Sequence, residues 1–382
     1  MNEDPQHADK DAPGGLPDRQ GLAPAAPHPA PYPPRTLRFP PDRSLGSLIR
    51  MTERTTAQGI YELGGERVSE AQGTVTVYDA QKLALDIYPE AAADLAALGQ
   101  LPPDVLERIS LSGTPITDAA LAFVQHLTSL QTLFLSRTPI TDAGLVYLQH
   151  LPHLETLYLE ATGITGRGLA YLQALPVLHT LYLVGTLQLR DEELVHVRRF
   201  PALAGIYLDN TPISNAGLAH LRPPTLQTIT LDGCTRISDA GLAYLHDLPN
   251  LRWLDLTETR LTGPGLRHLQ GLAALETLSL IGTLVDDAGL VYLRGLRALT
   301  SLALGGTAIS DAGLEHLQAP GQLKTLDLSN TRISDSGVAR LATLTHLETL
   351  HLGGTTVSAG ALTELQAALP DCWIGLDEDE EE

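Results

Sequence analysis

The sequence predicts an α/β solenoid: eleven stacked strand–turn–helix units whose strands pair in one parallel sheet, with a small cap at the N-terminal end. Three observations carry this. From Leu106 the sequence repeats with a period of 24, on frame leucines at Leu106, Leu130, Leu154, Leu178, Leu203, Leu226, Leu251, Leu275, Leu299, Leu323 and Leu347. Each unit mixes two hydrophobic periods: Leu133 and Leu135 are two apart, as in a strand, and Leu145 and Leu148 three apart, as in a helix. The apolar content is leucine, 73 residues against 4% aromatics, which suits stacked repeats better than a compact globule.

The elements follow in chain order. Residues 1–41 hold eleven prolines and little that could form a core, which predicts a disordered tail. Residues 42–104 are expected to cap the stack. Thr74–Tyr78 and Leu83–Ile87 both alternate, with Asp79–Lys82 between them, which predicts a β-hairpin. Ala91–Leu98 reads as a short helix ending at Gly99. Residues 105–370 form the array; units four and six carry one extra residue and unit five lacks one. Every unit runs the same way, so the strands must pair in parallel. Thr141 or Asp142 is placed to cap the helical half of its unit. Residues 371–382 form a C-terminal cap, with Trp373 as its lid and Cys372 shielded, and an acidic tail.

Composition narrows the function. The formal net charge of -20 argues against nucleic acid and against an anionic membrane surface, since both need clustered Lys and Arg. Two cysteines, Cys234 and Cys372, exclude a disulfide framework and a multi-thiolate zinc site. No apolar run approaches the ~18 residues of a membrane span. The acidic start Met1-Asn2-Glu3-Asp4 is not a signal peptide. These features predict a soluble, cytoplasmic, monomeric protein.

The unit Leu130-x-x-Leu133-x-Leu135-x-x-Thr138-x-Ile140-x-Asp142-x-x-Leu145-x-x-Leu148 resembles the "ITDAGL" type of leucine-rich repeat. Unit six, Leu231 to Leu242 with Cys234, resembles the cysteine-containing subfamily. The resemblance covers 106–370. It implies a horseshoe with a concave parallel sheet and convex helices, and a non-catalytic role in protein binding. Leu101-Pro102-Pro103-Asp104-Val105-Leu106-Glu107-Arg108-Ile109 resembles the opening of an F-box, so a ubiquitin-ligase substrate adaptor is one alternative. A structural or self-associating scaffold is another.

Repetition separates structural columns from local ones. Thr114, Thr138, Thr162, Thr186, Thr211, Thr259, Thr283, Thr307, Thr331 and Thr355 recur throughout, so they are expected to bond the turns. His196, His220, His268 and His316 alternate with tyrosines in one helix column, without converging ligands, so no metal site is expected. No nucleophile–base set, phosphate loop or dinucleotide loop is present, so neither catalysis nor a cofactor is expected.

One column is local. The residue between the last two strand leucines runs Ser110, Phe134, Tyr158, Tyr182, Tyr207, Thr230, Asp255, Ser279, Ala303, Asp327, His351. Its four consecutive aromatics should form a ladder on the concave face. Trp253 extends this surface, and Glu160, Asp209, Asp232, Asp255 and Glu258 flank it. The expected partner is a protein with an apolar centre and a basic rim. A second reading stays open, in which the rings only stack and cover the sheet.

Overall fold

The computed structural model describes residues 34–55, 61–77, 82–317 and 323–376. The cap holds β1 (Arg35–Arg38), β2 (Gly46–Thr55), β3 (Tyr61–Glu70), β4 (Thr74–Val77) and β5 (Leu83–Ile87). Eleven three-residue strands follow, one per unit: β6 (Arg108–Ser110), β7 (Thr132–Phe134), β8 (Thr156–Tyr158), β9 (Thr180–Tyr182), β10 (Gly205–Tyr207), β11 (Thr228–Thr230), β12 (Trp253–Asp255), β13 (Thr277–Ser279), β14 (Ser301–Ala303), β15 (Thr325–Asp327) and β16 (Thr349–His351). The last strand is β17 (Trp373–Gly375). One open 15-stranded sheet runs from β17 back through β6 to β5, β2 and β3. From β5 to β17 every pairing is parallel.

The predicted frame sets the register. Ile109, Leu133, Leu157, Leu181, Ile206, Ile229, Leu254, Leu278, Leu302, Leu326 and Leu350 align across the strands and are buried. Burying such a continuous leucine row is the main force holding units together, since each unit touches only its neighbours. The turn threonines also do what their recurrence implied. Thr138 Oγ1 donates to the Leu135 carbonyl at 2.6 Å, and the same bond recurs from Thr114 to Thr355. Thr186 is the exception, reaching back to Leu159. In unit six the Cys234 thiol donates to the Leu208 carbonyl instead, and burial raises its pKa.

The second halves of the units are short. Most are single α-turns such as Asp142–Leu145 or 3-10 segments such as Asp191–Arg199; the longest α-helix is Ala359–Ala368 at the C-terminal end. Among the described residues no helix is long and apolar enough to cross a membrane.

The consensus Asp does more than cap its own helix. Thr141 caps locally, accepting from the Ala143 N–H, whereas Asp142 reaches into the next unit. It accepts from the Thr165 N–H at 2.7 Å and the Thr165 hydroxyl at 2.7 Å. The same clasp joins Asp118 to Thr141, Asp191 to Ser214, Asp239 to Thr262, Asp287 to Ser310, Asp311 to Ser334 and Asp335 to Ser358. Asn215 supplies it to Ser238. The clasp explains the consensus Gly: a Cβ on Gly144 would lie 2.6 Å from Asp118 Oδ1.

Two joints differ. Unit three has Gly166 where the clasping Asp belongs. Unit four compensates with Glu193 in the glycine position, and its carboxylate reaches backwards to the Gly166 N–H at 2.9 Å and Arg167 Nε at 3.0 Å. At the joint of units seven and eight, Gly263 faces Gly289 and the backbones approach closely; a Cβ on Gly263 would lie 3.0 Å from Gly289 Cα.

The cap departs from expectation in several places. Residues 1–33 of the expected tail lie outside the described residues, but 34–41 belong to the fold: β1 pairs with β4, and Leu37 and Phe39 are buried. The Thr36–Phe39 alternation between prolines was the missed signal. The 74–78/83–87 hairpin does not form. β5 is buried and needs a neighbour on both edges, which β2 and β6 provide, leaving β4 to pair with β1 in a separate sheet. In the cap β2 pairs antiparallel with β3. The expected helix at 91–98 is two 3-10 segments, Pro89–Ala91 and Ala96–Gln100. Between them Asp94 Oδ1 accepts from the Ala96 N–H, an Asx turn that interrupts the helix. No F-box helices follow Leu101, because Arg108–Ser110 is already the first repeat strand.

At the other end Trp373 is not the lid. It is 48% exposed and meets His351 edge-on at 5.1 Å, while Leu365, Leu369 and Cys372 close the core. Cys372 is buried, which raises its thiol pKa. Residues 377–382 lie outside the described residues.

Candidate functional site

Side chains alternate across a strand, so if Leu133 points into the core, Thr132 and Phe134 point outward. The register then puts Phe134, Tyr158, Tyr182 and Tyr207 in one row on adjacent strands. Their rings stack at centroid separations of 4.2, 4.2 and 4.1 Å, with interplanar angles of 11°, 8° and 14°. All four are half-buried. The faces of the middle rings are spent on one another, so the row presents ring edges and hydroxyls. Burial raises the Tyr158 and Tyr182 pKa values, and for Tyr182 the neighbouring tyrosines add to it.

The two ends of the row are unlike. Beyond Phe134 stands Arg108, its guanidinium carbon 5.6 Å from the ring centroid and its Nη2 donating to Asp86 Oδ1 at 3.0 Å. Sequence reasoning missed Arg108 because it lies two residues before the aromatic column, on the same outward face. Beyond Tyr207 the row continues with Thr230 and Asp255.

The expected acidic residues divide. Glu160, Val184, Asp209, Asp232 and Thr257 follow one another at the position just past the strand, so Val184 separates Glu160 from the rest. Asp209, Asp232, Asp255 and Glu258 act on one another. Asp209 accepts from the Thr230 hydroxyl at 2.8 Å and the Asp232 N–H at 2.9 Å. Asp255 accepts from the Thr257 N–H at 2.9 Å. Burial raises the Asp232 pKa, and Asp255, Asp209 and Glu258 push it further in that order. Burial also raises Asp209. Glu258 holds a left-handed φ of 55° at the position where Gly233 and Gly282 take 66° and 64° in the flanking units. Among the described residues no Lys or Arg pairs with any of these four, whereas Glu276 and Glu348 have Arg252 and Lys324.

This charge crowding should be measurable. An Asp with a raised folded pKa binds protons more readily folded than unfolded. Its contribution to stability therefore falls as pH rises from the ordinary value of about 3.9 through the folded value. Asp232→Asn should melt above the parent at pH 7, and the gain should vanish near pH 4. Thermal scans at both values check this, and equal melting at pH 7 contradicts it.

The histidine column links units rather than gathering ligands: Gln173 Nε2 donates to His196 Nδ1 at 2.8 Å, and Arg294 Nη2 to His316 Nδ1 at 2.7 Å. Among the described residues no three His, Cys, Asp or Glu side chains form a group able to hold a metal ion.

Comparison with known proteins places the fold. A leucine-rich repeat family model matches residues 126–148 and 323–342. No curated protein matches the sequence. Among solved structures, an internalin (inlF) from Listeria monocytogenes superposes with a TM-score of 0.53 and 21% identity, over 77% of this chain and 86% of that one. The mouse RP105/MD-1 complex gives 0.53 and 19%, over 78% of this chain and 50% of that one. The TLR13–ssRNA13 complex gives 0.53 and 19%, over 78% and 45%. The chain thus spans half or less of the last two. What is shared is the open leucine-rich repeat solenoid, whose sheet lines the concave side.

Proposed function

We propose that this chain is a non-catalytic interaction module that holds a protein partner on its concave sheet, over Phe134, Tyr158, Tyr182 and Tyr207. The carrying observation is locality. The core leucines and the turn threonines recur along the whole array, but the outward aromatics occupy four adjacent units and no others in their column. A feature the stack required would recur with the stack. Tyrosines offer large contact area at low entropy cost. Trp253, Asp209, Asp232, Asp255 and Glu160 border the ladder, which favours a partner with an apolar centre and basic residues around it. The fold supports this reading, since leucine-rich repeats commonly serve as protein-interaction scaffolds, and RP105 was solved in complex with MD-1.

The ladder's mutual stacking favours a second reading, in which the rings only cover the sheet. The double variant Tyr158→Ala with Tyr182→Ala separates the two. Losing the stacked pairs should cost on the order of 2 kcal/mol, which an array of this size tolerates. The variant should unfold cooperatively close to the parent and lose partners captured from native lysate. Unfolding of the variant, or unchanged capture at the same salt, makes the ladder structural.

A further inference from the structure

The unlike ends of the aromatic row point to a specific ligand group. At the Phe134 end the protein places its own arginine over the ring and pairs it with a carboxylate, Asp86. At the Tyr207 end the carboxylates are present, and among the described residues no Lys or Arg pairs with them; Arg252, beside Trp253, pairs with Glu276. Tyr207 lies on β10 and Trp253 on β12, with β11 between them. Two strand spacings put these strands about 9.6 Å apart. Of the outward residues of β11, Thr230 is buried, bonded to Asp209, whereas Thr228, level with Trp253, is short and half-buried and leaves that interval open. Gly205 leaves space on the Tyr207 strand: a Cβ there would stand 3.5 Å from Tyr207 Cε2, so the ring reaches along its strand towards the row that holds Trp253. Trp253 is 46% exposed. Asp255 stands two residues on from Trp253 on the same strand, and Asp209, Asp232 and Glu258 lie just beyond the strand ends.

We propose that this cleft takes an arginine side chain of the protein partner, its guanidinium between Tyr207 and Trp253 and its charge met by Asp255, with Asp232 adding to the negative field from beyond the strand end. The inference rests on the concave-face reading above and narrows it to one contact. A planar cation midway between the two strands sits within the ~6 Å over which an aromatic face attracts it. Guanidinium suits the site better than ammonium, because it stacks flat and bonds carboxylates in a fork. Arg108, Phe134 and Asp86 make the same three-part contact within this chain. The net charge of -20 steers cations inward. Asp232 and Asp255 repel each other when empty, so a bound cation relieves a cost the folded protein already carries.

The test uses the full chain with Trp373→Phe, which leaves Trp253 as the single tryptophan. Acetyl-arginine amide is titrated while Trp253 emission is followed, with the lysine and norleucine amides and calcium chloride as controls. Arginine should give a saturable change, at least tenfold tighter than norleucine and severalfold tighter than lysine, and should weaken with added salt. Asp232→Asn with Asp255→Asn should lose at least tenfold while folding normally by circular dichroism. Asp327→Asn, in the same row three strands on, should bind as the parent does. No saturable change, equal binding of norleucine, or indifference to the double substitution overturns the proposal. Equal binding of lysine overturns the guanidinium assignment, and the same response to calcium makes the cluster a metal site. The outcomes separate from those of the ladder. If arginine binds here but Tyr158→Ala with Tyr182→Ala still captures partners, the ladder reading falls and the cleft stands. If arginine fails while ladder capture is lost, only the cleft falls.

Discussion

Leu256→Asp should cost about 4 kcal/mol or more and collapse the array's cooperative unfolding. Leu256 is fully buried, its N–H already bonded to the Ser279 carbonyl of the next strand. A carboxylate there would have no counter-ion and no water, and the row of leucines it interrupts is continuous through both neighbouring units. Trp253→Ala, on the same strand but outward, should cost about 1 kcal/mol or less. Denaturant titration of both variants checks the contrast. Leu256→Asp melting like the parent would show that the repeat frame is misassigned.

The reversed joint between units three and four should give the second-largest effect, with an unusual sign of coupling. Gly166→Asp alone restores the consensus letter yet should destabilise by about 2–4 kcal/mol. Its Cβ would lie 2.3 Å from Glu193 Cβ and within 3.2 Å of the Glu193 backbone. Glu193→Gly alone removes the partner of the Gly166 N–H and should cost about 1–2 kcal/mol. Together the two changes recreate the clasp found at the other joints, so the pair should be less destabilised than Gly166→Asp alone. A double-mutant cycle in urea measures this; strict additivity would mean that the two positions do not compensate.

Much of the fold was legible because repetition made the sequence its own control. The frame leucines and turn threonines each had ten or so independent witnesses. The cap had none. There, alternation at Thr74–Tyr78 and Leu83–Ile87 correctly marked strands but said nothing of partners, because pairing depends on which edges other strands occupy. Thr141 or Asp142 could cap the helical half; Thr141 does, while the bond of Asp142 runs 23 residues onward, a span that spacing within one unit does not reveal. In the candidate site the aromatic row could be read from its column. The division of the carboxylates was open to the same reading two positions on, where Val184 parts Glu160 from Asp209; what the column could not give was the bonding of Asp209 to Thr230 and the Asp232 N–H across the joint.

The ladder also bears on the shape of the array. Units two to five carry the rings, so the row runs across the joint where Glu193 replaces the usual clasp. The ring centroids are 4.1–4.2 Å apart, closer than the ~4.8 Å between strands, as side chains must be on the inside of a curve. Aromatic pairs prefer centroid separations of about 4.5 Å or more, so these rings are already in close contact. The row therefore acts as a stop against tighter bending at the reversed joint, while Ser279 and Ala303, small residues in the same row, leave the later units free to flex inward.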